Sequence, residues 1–160
     1  MEELPAQVKL MRDIATEAHK GQTRKFGLDK GLPYIVHPTR VAAELQGEGV
    51  IAWAAGFGHD VVEDCGLSKA DLIAKGVLPE IAETVEIVSR QPSVWSGGYA
   101  ETYLEFILRI KNSDTACFET SKVHDAAMKV KIADIKDNMY DLHPGNRLDK
   151  YEMALYILTH

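Results

Sequence analysis

Apolar residues recur at helical spacing along nearly the whole chain. From Leu4 to Gln22, the residues Val8, Met11, Ile14, Ala15 and Ala18 fall on one face, which predicts an amphipathic helix. Pro5 suits its first turn and Gly21 its end. Thr23 to Pro33 breaks the pattern with Arg24, Lys25, Gly27, Lys30 and Gly31, a basic and glycine-rich loop. Tyr34 to Pro38 leads into an amphipathic segment, Val41 to Leu45, with Pro38 placed for its start. After Gly47-Glu48-Gly49, the run from Val50 to Asp64 reads as one mostly buried helix. Ser68, with Asp71 three residues on, is a predicted N-cap. Short helices are expected over Lys69 to Lys75 and Pro79 to Ser89, and a surface loop over Arg90 to Gly98. Tyr99 to Lys111 is again helical, and Ser113 or Asp114 can cap the longest helix, Thr115 to Leu142. His143-Pro144-Gly145-Asn146 ends it, and Arg147 to His160 forms a last helix. No stretch alternates with period two, none repeats, and no linker divides the chain. The pattern predicts an all-α fold and a single domain over residues 1–160.

The composition is that of an ordinary globular protein, 46% hydrophobic and 26% charged. A net charge of −6 argues against general nucleic-acid binding, which needs a basic face for phosphates. It leaves room for a local basic pocket. Glu2 and Glu3 replace any apolar signal core, and no apolar run approaches the ~20 residues of a membrane span. Cys65 and Cys117 have no paired spacing, so neither a disulfide framework nor a cysteine zinc site is expected. A cytoplasmic enzyme or binding domain fits these features.

One stretch disturbs this picture. Phe57 to Asp64 carries His59, Asp60, Glu63 and Asp64 directly after the most apolar run of the chain, Val50 to Phe57. Carboxylates so close to a core need a partner, because burying an uncompensated charge costs several kcal/mol or more. A divalent cation is the simplest partner for one imidazole and several carboxylates. Glu63 lies four residues after His59 and three after Asp60, so it points to nearly the same side; adjacent His59 and Asp60 diverge by about 100° on a regular helix, yet both can reach one ion placed between their faces. These two leave an ion under-coordinated. His37 before Pro38, and Asp134 among Val130, Ile132 and Ala133, are further candidates. Lys131, Asp134 and Asn138 recur at i, i+3 and i+7 as one polar stripe. Taken singly, each has a plainer reading: His37 as a loop histidine, Asp134 as a surface charge paired with Lys131 or Lys136, Arg24-Lys25 as a solvated loop.

Their joint order is more specific. Ala18-His19-Lys20-Gly21-Gln22-Thr23-Arg24-Lys25, Pro33-Tyr34-Ile35-Val36-His37-Pro38, Val41-Ala42, His59-Asp60-Val61-Val62-Glu63-Asp64, Val130-Lys131-Ile132-Ala133-Asp134 and Asn138-Met139 follow one another in the order of a known family. The chain resembles the HD-domain phosphohydrolases, and within them the hydrolase half of RelA/SpoT-type proteins and the small alarmone hydrolases. The resemblance implies an all-helical HD domain with one divalent metal ion, manganese (Mn2+) in the family, held by His37, His59, Asp60 and Asp134. The donor set alone also admits iron, cobalt, nickel or zinc. By the same resemblance Glu63 and Asp64 orient and deprotonate the attacking water. Arg24 and Lys25 line the substrate pocket, Asn138 contacts sugar or phosphate, and Arg147 and Tyr151 hold the 5′ phosphates. Lys131 helps to offset phosphate charge.

The implied activity is hydrolysis of guanosine 3′,5′-bis(diphosphate), ppGpp or pppGpp, to GDP or GTP and pyrophosphate, without a synthetase counterpart. The expected partner is the phosphorylated guanine nucleotide, with no nucleic acid or membrane; the sequence is silent on oligomeric state. Two alternatives stay open: an HD phosphohydrolase of another nucleotide (a nucleoside monophosphate or the 2′-phosphate of NADPH), and a non-catalytic nucleotide-sensing module. The chain departs from the family pattern at three places. Ile135-Lys136-Asp137 replaces Arg-Leu-His, Leu28 to Leu32 lengthens the basic loop, and Gly56-Phe57-Gly58 replaces an Ala-Leu-Leu type run.

Overall fold

The computed structural model describes residues 3–91, 100–113, 118–140 and 142–160. Its elements are α1 (Ala6–Ala18), α2 (Val36–Glu44), α3 (Val50–Gly58), α4 (Val61–Cys65), α5 (Lys69–Ala74), α6 (Pro79–Ile87), α7 (Tyr103–Lys111), α8 (Phe118–Met139) and α9 (Asn146–Thr159). No strand occurs among the described residues; one antiparallel bridge, Thr23 to Pro33, closes the basic loop. The all-α expectation holds. No helix among them is long and apolar enough to cross a membrane.

α3 forms the centre, packed by α1, α2, α6 and α8. It is apolar all round, as a largely enclosed helix must be, with Ala52, Ala54, Ala55 and Phe57 buried and only its start, Val50, exposed. Two of its glycines let neighbours come close. A Cβ on Gly56 would lie 3.0 Å from the Ala42 backbone of α2, and one on Gly58 would run into the end of Met11 on α1. The Gly56-Phe57-Gly58 departure is thus a packing feature. A second apolar cluster joins Phe106, Ile107 and Ile110 of α7 to Ile135 of α8 and Ala154 and Leu158 of α9. α8 serves both clusters, since Ala126, Ala127, Val130 and Ala133 belong to the first.

The predicted central helix, Val50 to Asp64, is not continuous. α3 stops at Gly58 and α4 begins at Val61, with Asp60 at φ −104° and ψ −3° between them. The His59 ring closes the end of α3 by donating from Nδ1 to the Gly56 carbonyl at 2.8 Å, satisfying one of its terminal acceptors. Gly66, in the left-handed region at φ +70°, ends α4. α2 begins earlier than the hydrophobic pattern suggests, so His37 sits in its first turn and not in a loop.

Ser68 caps α5 in a reciprocal capping box with Asp71, as its spacing predicts. α7 starts at Tyr103, four residues later than expected, because Thr102 and Glu105 form a second capping box. Ser113 donates to the Ile110 carbonyl and pairs with His124. Asp114, Cys117, Trp95 and Tyr99, and most of the Arg90 to Gly98 loop, lie outside the described residues. The ends of that loop are fastened: Arg109 donates to the carbonyls of Ile87 and Ser89, both at 2.8 Å, and to buried Glu101.

Candidate metal centre and adjoining cavity

The turn between α3 and α4 solves the angular problem of adjacent His59 and Asp60. Leaving the helix at that point, both side chains reach one spot, where α2 delivers His37 and α8 delivers Asp134. His59 Nε2 lies 3.0 Å from Asp60 Oδ2, 3.4 Å from Asp134 Oδ1 and 3.2 Å from His37 Nε2. His37 Nε2 is itself 3.0 Å from Asp134 Oδ1 and 3.7 Å from Asp60 Oδ2. Both rings are buried, at 1% and 3% exposure, which removes water as their partner.

Tautomers follow from the far edges of the rings. His59 Nδ1 faces the Gly56 carbonyl, which only accepts, so it carries hydrogen. His37 Nδ1 faces the Asp137 carboxylate at 2.6 Å and carries hydrogen too. As neutral imidazoles, both residues point Nε2 lone pairs at each other and at two carboxylate oxygens. Four acceptors converge with no donor among them, so the arrangement demands positive charge at its centre. Without a cation that charge is protons. Burial alone would lower His59, but the charges of Asp60 and Asp134 hold it well above the ordinary histidine value. Burial likewise opposes His37, which the hydrogen bonds with Asp134 and Asp137 nevertheless raise. Asp134 is held well below the usual carboxylate range: burial pushes it up, and the charges of Lys131 and His59 outweigh that.

The same geometry fits a divalent metal. His37, His59 and Asp60 offer ligand atoms within 4.8 Å of one another, and Asp134 adds an oxygen to both imidazoles. Each Nδ1 is fixed by a carboxylate or carbonyl, the usual support of a metal-binding histidine. Lys131, 8% exposed, donates to Asp134 Oδ2 at 2.8 Å, with its ammonium over the Phe106 ring.

Glu63 and Asp64 stand on α4 beyond the cluster. Burial and then the charge of Asp60 raise both from their ordinary values, Asp64 against some relief from His19. Carboxylates so placed hold a proton more readily, the property wanted in a general base. Tyr34 donates to Asp60 Oδ2 at 2.6 Å, and burial together with that carboxylate holds its phenol far above the ordinary value.

A cavity of about 500 Å³ opens beside the cluster. Its lining includes Arg24, Lys25, Phe26, Tyr34, Asp64, Asn138, Arg147 and Tyr151, bringing together five of the six predicted substrate contacts. Lys131 is not among them; it lies behind Asp134. Arg24 Nη2 donates to Asn138 Oδ1 at 3.2 Å, and Asn138 Nδ2 donates to Asp134 Oδ1 at 2.8 Å. This chain ties the cavity wall to the cluster and occupies both ends of the Asn138 amide. Arg147 lies over the Phe26 ring at 3.9 Å from its centroid. Sequence reasoning passed over Tyr34, Phe26, Arg40 and Asp137. Tyr34 had a signal, three residues before His37 in a matched motif. Asp137 was marked only as part of the Ile135-Lys136-Asp137 departure, and its contact with His37, like that of Arg40 with Asp137, depends on how α2 and α8 meet.

No family model matches the chain. It is 42% identical over 80 residues to the guanosine-3′,5′-bis(diphosphate) 3′-pyrophosphohydrolase of Vibrio cholerae serotype O1, a match covering 48% of this chain and 10% of that protein. The chain therefore spans about a tenth of the length of that relative. It also superposes, with a TM-score of 0.69 and 23% identity, on the structure of a metazoan ortholog of SpoT that hydrolyses ppGpp and plays a role in starvation responses. That match covers 99% of this chain and 86% of the other. By fold the chain is similar to that SpoT ortholog, and over 48% of its length its sequence is similar to the pyrophosphohydrolase.

Proposed function

We propose that residues 1–160 form a single HD-type domain that hydrolyses guanosine 3′,5′-bis(diphosphate) to GDP and pyrophosphate, and the pentaphosphate to GTP, in the cytoplasm. The observation that carries this reading is the convergence of four acceptor atoms from His37, His59, Asp60 and Asp134 beside a cavity walled by cations. His37, His59, Asp60 and Asp134 would hold a divalent ion, manganese for preference, which would supply a water of lowered pKa and polarise a phosphoryl oxygen. The protein supplies the rest. Glu63 and Asp64 take the proton of the attacking water, whose oxygen bonds to the 3′-linked phosphorus as the bond to the ribose 3′ oxygen breaks. Arg24 and Lys25 offset the phosphate charge and Arg24 offers a planar face to the purine. Asn138 holds Arg24 in line with Asp134. Lys131 balances Asp134 from behind. Arg147 and Tyr151 border the end of the cavity where the 5′ diphosphate would lie.

Incubating the metal-loaded protein with ppGpp and separating products by ion exchange tests the proposal. GDP and pyrophosphate should appear, vanish with chelator and return with manganese. Asp60→Ala and Glu63→Ala should both abolish turnover; wild-type rates in either would refute the assignment. Commitment of Arg147 to Phe26 favours one second reading, a different phosphorylated nucleotide in the same site. A panel including NADPH and nucleoside monophosphates, scored for phosphate against pyrophosphate, separates the two.

A further inference from the structure

His59 and His37 are held by different means. His59 leans on a backbone carbonyl of its own helix, which cannot be moved without unwinding α3. His37 leans on a side chain. Asp137 accepts from His37 Nδ1 at 2.6 Å and, on its two oxygens, from Arg40 Nε at 2.7 Å and Nη2 at 3.0 Å. Arg40 Nη2 also donates to Asp29 Oδ2 at 2.5 Å. The geometry is compact because two pairs spaced i, i+3 face each other, His37 and Arg40 on α2 against Asp134 and Asp137 on α8. Asp29 belongs to neither helix. It sits in the basic loop, closed by backbone bonds from Arg24 N to the Leu32 carbonyl and from Gly31 N to the Arg24 carbonyl, both 2.9 Å. That loop carries Arg24, Lys25 and Phe26 into the cavity wall.

We infer that Asp137, Arg40 and Asp29 form a positioning relay joining the cavity loop to the metal ligand His37. The inference rests on reading the His37 cluster as a metal site. A carboxylate on Nδ1 fixes the tautomer, aims the Nε2 lone pair and makes it more basic. The fork of Arg40 holds Asp137 in one orientation through two charge-assisted hydrogen bonds. Nη2, shared between the two carboxylates, also reaches Asp29, so the loop is in register with the ligand only while that pair is made. Asp137 and Asp29 touch neither the cluster's centre nor the cavity. They act through His37 and through the loop.

Manganese affinity, measured by competition with a fluorescent chelator, tests the relay without reference to turnover. Visible spectra of the cobalt-loaded proteins give a second readout of ligand geometry. Asp137→Ala should weaken manganese binding roughly 10–100-fold and alter the cobalt spectrum. Asp137→Asn, whose amide oxygen still accepts from Nδ1, should fall between it and wild type. Asp29→Ala should weaken binding roughly 2–10-fold although it touches no ligand. Asp125→Ala, elsewhere on α8, should leave it unchanged. A folded Asp137→Ala protein with wild-type affinity and spectrum overturns the relay; if that variant does not fold, the same result with Asp137→Asn overturns it. Wild-type affinity in Asp29→Ala overturns the arm to the loop. A wild-type protein that binds no manganese overturns the metal site itself, a failure separate from the other two.

Discussion

His37 and His59 confront each other across 3.2 Å with lone pairs, so whatever lies between them governs stability. In metal-free protein both imidazoles titrate above the ordinary value of 6.5. A group raised on folding stabilises fully below its unfolded value and loses that contribution as pH climbs through its folded value. The melting temperature of chelator-treated protein should therefore fall as pH rises above 6.5, and saturating divalent metal, which replaces the protons, should flatten the curve. Equal slopes in thermal melts with and without metal would contradict this. Glu63 follows the same sign for a different reason. Its carboxyl is raised by burial and by Asp60, so its stabilising share is present below the ordinary 4.5 and lost on ionisation above it. At neutral pH, Glu63→Gln should raise the melting temperature of metal-free protein while cutting kcat roughly 10²–10⁴-fold. Conserved turnover, or a lower melting temperature, would count against the role. The sequence showed the four converging side chains because they sit inside matched motifs. It hid Asp137 and Arg40, because a charge on α8 acquires its meaning from a histidine 100 residues away.

At the scale of elements, helical periodicity located the helices well and their ends less well. Pattern marks which face is buried but says little about where a backbone turns. Val50 to Asp64 reads as unbroken because His59 and Asp60 carry no breaker; the turn depends on the imidazole seeking the Gly56 carbonyl. Thr102 carried a signal that the reading from Tyr99 missed, a Thr-x-x-Glu signature whose capping box sets the start of α7. Thr102→Ala should cost about 1 kcal/mol by denaturant titration, with activity intact. Gly56→Ala is a harder insult. Its methyl meets the Ala42 backbone at 3.0 Å, so α2 must move, and α2 carries His37. We expect a loss of about 1–3 kcal/mol together with weaker manganese binding. A stability loss with unchanged metal affinity would show that α2 yields without disturbing the site.

For the whole molecule, the charge balance and the site point in opposite directions. The chain bears −6 overall, yet Arg24, Lys25 and Arg147 border one cavity. On the proposed function, a polyphosphate would be drawn by the local cations while the net negative charge repels it, so its binding would depend on how many phosphates it brings. Lys25→Gln should raise KM for ppGpp more than for a nucleoside monophosphate, and salt should narrow that gap as screening sets in. Equal effects on both substrates would remove Lys25 from phosphate recognition.

His37 and Asp134 stand 97 residues apart in sequence, with His59 and Asp60 between them. During synthesis the two histidines and Asp60 emerge from the ribosome well before α8, which brings Asp134 to the cluster and Lys131 and Asp137 to its supports. Until then the nascent chain offers a transition metal an incomplete and poorly aligned set of donors. If the cluster holds a metal as proposed, its full donor set exists only once α8 has packed, and the finished architecture would decide which ion is kept.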